Sequence, residues 1–341
     1  MRFDMENNSD LRNRIKTILA YLNQTVSGKD EALRITLLSA VAGEGILLLG
    51  SSGLDKSTLI RCVASAFSDF YKDDKFDIGN NGYFEYFMNE SSQPDDLIKN
   101  SLSCARIAFF DDIWASSPAV LNTLISFIND RKCRFSDKNA DVPLIFAAAG
   151  STEADPYNAA EARRFEVLRE SFALHVPVNQ LASDDAFFKF VDNSRTRLQP
   201  NEEQKAALIG SGEIKLWQQV IDKVEMSDDA KSLISDIRKK CFDYYISDFR
   251  WKKIIRILKT CAFLNGRNTV DLVDCSLIDY AIPNHVVEDI LKQKAIDCKL
   301  DSRLHDQYKA NIFARHKYYK ILRASIDDTK LKLKQKTQIQ Y

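Results

Sequence analysis

The chain has 341 residues, and its 48 Lys plus Arg balance 48 Asp plus Glu, so the formal net charge is zero. A 45% hydrophobic content excludes a mostly disordered protein, and the length allows two or three domains with sizeable cores. No apolar run approaches the ~20 residues that span a bilayer, Met1–Glu6 holds no apolar signal core, and the seven cysteines form no C-x-x-C pair, which predicts a cytoplasmic protein with reduced thiols.

Residues from about 10 to 43 read as two helices, with Leu11, Ile15, Ile18, Leu19 and Leu22 as a stripe and Val26–Glu31 as the turn between them. From Ile46 to Val178, short apolar strands alternate with helical stretches; the strands are Ile46–Leu49, Tyr83–Met88, Ile107–Phe110, Leu144–Ala149 and Phe172–Val178. Such alternation predicts an α/β fold with a parallel sheet and helices on both faces. Beyond Asn179 the strand signal disappears and helical patterns follow over Lys215–Val224, Asp228–Tyr245, Arg250–Leu264 and Leu272–Tyr280. The expected organisation is N-terminal helices over 1–43, an α/β core over 44–180, an all-helical lid over 181–284 and a basic helical extension over 285–341. From Lys299 to Tyr341 there are eleven Lys/Arg against four Asp/Glu. No aromatic or glycine pattern of a nucleic-acid module accompanies that charge, so a solvated helical end is the preferred reading over nucleic-acid binding.

The stretch Gly50-Ser51-Ser52-Gly53-Leu54-Asp55-Lys56-Ser57, followed by Thr58, matches the phosphate-loop pattern G-x-x-x-x-G-K-[ST] except at the second glycine, where Asp55 stands. Glycines let backbone N–H groups crowd around a triphosphate, Lys56 would reach the β and γ phosphates, and Ser57 would bind Mg²⁺. A buried strand before the loop and a helical pattern after it are the context that separates such a loop from a chance surface turn. Ile107-Ala108-Phe109-Phe110-Asp111-Asp112 delivers two carboxylates at the end of a second strand, where an α/β nucleotide site needs them. Asp111 would hold Mg²⁺ and Asp112 would orient the attacking water. A helix N-cap pair after an arbitrary strand is the competing explanation.

Four stretches resemble the MoxR branch of AAA+ ATPases, and within it the RavA-type regulatory ATPases. They are Glu44–Ser57, Phe84–Met88 with Pro94–Asp96, Phe110–Trp114 with Pro118–Leu124 and Ile128–Arg131, and Ser247–Lys253 continuing through Ile255–Arg256 to Gly266–Arg267. The resemblance implies a P-loop NTPase (AAA+) core with a helical lid, ATP or ADP with Mg²⁺ as cofactors, a hexameric ring as the homo-oligomer, and a von Willebrand factor A-domain protein as partner. It makes Arg250 the sensor 2 arginine, which reaches from the lid to the γ-phosphate.

The departures from the family cluster on catalytic positions. A carboxylate at Asp55, ~4 Å from a phosphate oxygen, costs ~4 kcal/mol at an effective dielectric of 20, against ~8 kcal/mol for micromolar binding. Turning away or pairing with a cation would relieve it; acids are also welcome in a helix first turn. Asp112 replaces the family glutamate and is one methylene shorter. Gly150-Ser151-Thr152 stands where sensor 1 places an asparagine. Arg169-Glu170-Ser171-Phe172 lacks the in-register finger arginine, leaving Arg169, two positions earlier, as the substitute. Ile98–Cys104 is too short for the hairpin that family members project into the ring pore. Two functions are therefore expected: a weak ATPase assisting assembly or remodelling of a protein complex, or a catalytically degenerate member acting as an interaction scaffold.

Overall fold

Strand β1 (Ile46–Leu49) follows two helices, α1 (Glu6–Asn23) and α2 (Asp30–Ala42), and leads through the phosphate loop into α3 (Lys56–Ala64). The computed structural model describes residues 6–24, 26, 28–73, 75–79, 82–99, 102–135, 138–151, 166–181, 183–193, 199–240, 246–282, 290 and 310–314. After α3 come a small hairpin, β2 (Tyr71–Lys72) and β3 (Lys75–Phe76), then β4 (Tyr83–Phe87), α4 (Pro94–Lys99), β5 (Ile107–Asp111) and α5 (Pro118–Asp130). A second hairpin, β6 (Lys132–Phe135) and β7 (Lys138–Asp141), precedes β8 (Phe146–Ser151), a short helix α6 over 166–171, and β9 (Leu174–Pro177). Neither hairpin was legible as a pair of strands, since each strand is four residues or fewer and carries charges.

The strand order is β4-β5-β8-β1-β9, and every pairing is parallel. β1 therefore sits inside the sheet and is covered on both faces, which is why its sequence is an unbroken aliphatic run. Period two still operates within it. Ile46 and Leu48, with Phe109 and Phe146, join a core built with Ile15, Leu33 and Leu37 of α1 and α2. Leu47, with Phe110 and Ala147, joins a separate core against Leu124 and Phe127 of α5. Ser117 caps α5 by accepting from the Val120 N–H, with Pro118 at the first helical position. Strand β8 starts later than the hydrophobic run suggests and ends later. Its ladder begins where Ile107 pairs with Phe146 and continues to the pairing of Leu49 with Ser151.

The segment expected to be an all-helical lid holds α7 (Asp184–Asn193), α8 (Glu202–Ala207), α9 (Ser211–Ile221), α10 (Asp228–Lys240), α11 (Asp248–Leu264) and a 3₁₀ turn over Asp274–Tyr280. It is not wholly helical, because β10 (Glu225–Met226) and β11 (Thr269–Val270) pair in parallel. Leu233, Ile237, Ile254, Ile257 and Leu258 belong to the same buried cluster as α1, α2 and Ile46. Lid and sheet thus share one apolar core, and burying each of these side chains contributes about 1.5–3 kcal/mol. The expected helix over Leu304–Ile326 and the extension over 285–341 lie outside the described residues, apart from 290 and 310–314.

A polar cluster ties the end of α11 to the turn that follows. The fully buried Asp274 carboxylate accepts from Arg267 Nη1 (2.8 Å) and Nη2 (2.6 Å), from the Asp271 N–H (2.9 Å) and from Asn311 Nδ2 (3.0 Å). A carboxylate without water is held only by such donors. Replacing Arg267→Met removes the counter-charge and leaves the carboxylate behind, so chemical denaturation is expected to show a loss of about 3–5 kcal/mol. A loss below ~1 kcal/mol would contradict this account.

Candidate functional site

The C-terminal ends of β1, β5 and β8 meet at the phosphate loop. Gly50 must be glycine for a steric reason: a side chain there would begin 2.5 Å from the Val178 carbonyl oxygen, a backbone atom that cannot give way. Gly53 (φ +83°) and Asp55 (φ +54°) both adopt left-handed backbone. Lys56 begins α3 and is buried at 5% exposure, with its ammonium donating to the carbonyls of Gly50 (2.8 Å) and Ser51 (3.2 Å). Ser57 and Thr58 follow in the first turn, half-buried.

Asp55 occupies the N-cap position of α3 but makes no side-chain cap hydrogen bond. The reason is conformational. Caps normally take β-region backbone, whereas Asp55 is left-handed. That geometry also explains the residue type, because Gly, Asn and Asp are the side chains that enter this region most readily. The leading N–H groups of α3 are left without a side-chain acceptor and face the loop as an anion site.

Asp111 and Lys56 converge on Gly150. A side chain at Gly150 would begin 2.4 Å from Asp111 Oδ1, 3.0 Å from Lys56 Cε and 3.1 Å from Phe109 Cζ. The glycine at the position expected for sensor 1 is thus what lets the carboxylate and the lysine arm share one small volume. Asp111 Oδ1 also accepts from the Asp112 N–H at 3.1 Å. Asp112 is left-handed too (φ +53°) and opens the 3₁₀ turn Ile113–Ala115. A serine hydroxyl, a carboxylate and phosphate oxygens are hard oxygen ligands of the kind Mg²⁺ takes, so Ser57 and Asp111 fit that ion. Thr152 lies outside the described residues.

Arg250 and Arg169 are placed elsewhere. Arg250, 2% exposed, donates from Nη1 to Glu170 Oε1 (3.3 Å) and from Nη2 to the Ala281 carbonyl (3.0 Å) and His175 Nε2 (3.2 Å). Glu170 Oε2 accepts from the Ser247 N–H (2.9 Å), and Ser247 Oγ caps α11 at the Arg250 N–H (3.1 Å). A guanidinium has no acceptor, so His175 receives at Nε2 and its ring is neutral. Burial and the charges of Arg250 and Arg169 push His175 well below its ordinary pKa. Glu170 precedes β9, and His175 pairs with Leu47 near the start of β1. The arginines therefore sit toward the N-terminal ends of the strands, and the four residues of β1, about 13 Å at ~3.3 Å each, separate that end from the phosphate loop.

A cavity of about 420 Å³ opens at this N-terminal end, along the seam between lid and sheet, with Glu44, Arg131, Asp222, Lys253, Arg256 and Lys259 among its lining. Four of its cations are already engaged. Lys253 donates to Asn129 Oδ1 and the Ser171 carbonyl (both 2.7 Å), Arg131 to the Gly43 carbonyl, Arg256 to the Ala42 carbonyl and Lys259 to the Asp222 carbonyl. Burial pushes Lys253 down to about 8 against the raising effect of Glu44, and pushes the Glu44 carboxyl up. Lys253 and Arg256 thereby fasten α11 to the ends of α5, α6 and α2. Sequence reasoning gave no sign of Glu170 as the partner of Arg250, or of Asn129 and Ser171 as those of Lys253, each some 80 residues or more away.

Comparison with known proteins follows this geometry. The MoxR domain of MoxR–vWA–β-propeller ternary systems matches residues 13–219, and an AAA lid domain matches residues 229–294. Two uncharacterized proteins of Methanocaldococcus jannaschii are each 26% identical, over 84% of this chain and 75% of the relative, and over 87% and 82%. A structural protein of Acidianus two-tailed virus is 26% identical over 49% of this chain and 29% of its own. The crystal structure of a candidate ATPase from Cytophaga hutchinsonii superposes with a TM-score of 0.65 at 17% identity, covering 84% of this chain and 96% of that one. That likeness is one of fold.

The crowding at Gly150 is directly testable. Gly150→Ala is expected to cost about 1–3 kcal/mol in thermal or chemical unfolding, as overpacking does. A neutral effect would mean that Asp111 and Lys56 are not held against this glycine.

Proposed function

The chain belongs to the MoxR domain family of AAA+ proteins described in MoxR–vWA–β-propeller ternary systems, and on that premise we propose that it binds ATP or ADP with Mg²⁺ at the phosphate loop. The observation that carries this reading is the convergence of Lys56 and Asp111 around Gly150 beside the uncapped start of α3. Lys56 would neutralise the terminal phosphates, the loop N–H groups Ser51 to Thr58 would hold the remainder, and Ser57 with Asp111 would hold the ion. Bound Mg²⁺ supplies charge neutralisation at the phosphates. Asp112 would orient water, one methylene short of the family glutamate, and a ~1 Å misplacement costs on the order of a hundredfold in rate. Turnover on this reading is weak.

The protein would work in the cytoplasm as a homo-oligomeric, RavA-like ring with a von Willebrand factor A-domain partner, assisting assembly of a protein complex rather than threading a chain. In such a ring Arg169, set apart from its own loop, would serve a neighbouring copy. The Glu170 pairing of Arg250 favours a second reading, in which nucleotide is bound but barely hydrolysed and the chain acts as a scaffold.

Calorimetry with Mg²⁺–ADP tests the first step: wild type should bind, and Lys56→Ala should lose at least about tenfold in affinity, the removal of one charge-assisted phosphate contact. Combining Asp55→Ala with Asp112→Glu should raise steady-state ATP turnover. Ordinary AAA+ turnover by wild type, abolished in Lys56→Ala, would rule out the scaffold reading.

A further inference from the structure

Lys29 stands at the N-cap position of α2, in a turn that shows no phosphate-loop signature, yet its side chain ends at the loop. It is 8% exposed, and its ammonium donates to the Leu54 carbonyl, the oxygen of the peptide bond that joins Leu54 to Asp55. A single neutral carbonyl does not compensate a lysine charge taken out of water; a carboxylate does. Asp55 is the next residue along, half-buried, with no cap hydrogen bond to occupy it. Burial pushes the Lys29 pKa down, the Asp55 charge holds it up and the Lys56 charge pushes it down again, so Lys29 feels both loop charges.

We propose that Lys29 is a positioning residue of the nucleotide site, pairing with Asp55 so that the acidic loop presents the charge of an ordinary one. With Asp55 alone beside Lys56 the loop is neutral. Adding Lys29 restores a net charge of +1, which Lys56 gives by itself when glycine stands before it. The lysine also holds the Leu54 carbonyl, and with it the peptide that leads into the left-handed turn at Asp55. An acid is therefore tolerated at this position because α2 delivers a cation to it. The role rests on the reading that the loop binds nucleotide.

A double-mutant cycle on the full chain tests the pair, using wild type, Lys29→Met, Asp55→Gly and the double variant. Affinity for Mg²⁺–ADP is measured by calorimetry, and ligand-free stability by thermal unfolding. Lys29→Met is expected to weaken binding by about tenfold or more in the wild-type background and by less than about threefold beside Asp55→Gly. Lys29→Arg, which keeps the charge, should stay within about threefold of wild type. Should Lys29→Met fold poorly, Lys29→Gln, which retains a donor for the Leu54 carbonyl, takes its place in the cycle. Equal losses in both backgrounds would overturn the proposal, since Lys29 would then act through the carbonyl alone. If no variant binds Mg²⁺–ADP, the nucleotide reading fails. The pairing itself is then decided by the unfolding cycle, where a larger drop from Lys29→Met in the presence of Asp55 supports it and equal drops overturn it.

Discussion

A parallel strand covered on both faces admits no polar side chain along its length, so whatever chemistry the fold performs must gather at the strand ends. β1 is the extreme case here, with four aliphatic residues split between two separate apolar cores. Its C-terminal end turns into the phosphate loop, with Asp111 and Gly150 arriving on the neighbouring strands. Its N-terminal end receives α11, through Lys253 on the Ser171 carbonyl and Arg256 on the Ala42 carbonyl. The two polar regions are kept apart by the burial of what lies between them, and α11, sharing the α1–α2 core, is held at the N-terminal end.

That separation gives the Arg250–Glu170 pair its importance. Both groups are largely removed from water, with Arg250 satisfied by a carboxylate, an imidazole nitrogen and a carbonyl. A buried pair of this kind adds little net stability compared with an apolar replacement, yet losing one partner is severe. The structural consequence is specificity: Glu170 simultaneously holds the capped start of α11 through the Ser247 N–H, so one carboxylate sets both the entry of the helix and the orientation of its arginine. The same residue lies in the segment where family members place a finger arginine. Glu170 thereby holds Arg250 at the end of β1 away from the phosphate loop.

What was legible in the sequence is what depends on neighbours in the chain. β1 appears with the bounds that its aliphatic run predicts, and the acids at the end of β5 fall where a strand of that length delivers them. α11 is likewise close to its apolar pattern. What escaped depends on contacts distant in sequence. Nothing in the spacing of Lys29 relates it to Leu54, 25 residues on, and nothing marks Glu170 as the partner of Arg250, 80 residues on. Gly150 looked like a loss of sensor 1; only the sheet register reveals that it is also a close approach of Asp111 and Lys56. Short charged strands such as β6 and β7 carry no apolar alternation to read.

The two acidic departures at the loop and at the end of β5 share a backbone state. Asp55 and Asp112 both sit near φ +54°, a region closed to most side chains but open to aspartate. At each position, then, the main chain can keep its course while the side chain changes the chemistry. The consequences differ because the surroundings differ. Asp55 brings a charge to a loop that must accept anions if it binds nucleotide, and Lys29 reaches the carbonyl of the residue before it. Asp112 keeps the charge expected at its position and gives up only reach, which no neighbouring cation can restore. On the nucleotide reading, a site altered in this manner would retain the electrostatics of binding better than the geometry of hydrolysis, because a missing charge balance can be met from an adjacent helix, whereas a missing methylene must be met at the reacting water itself.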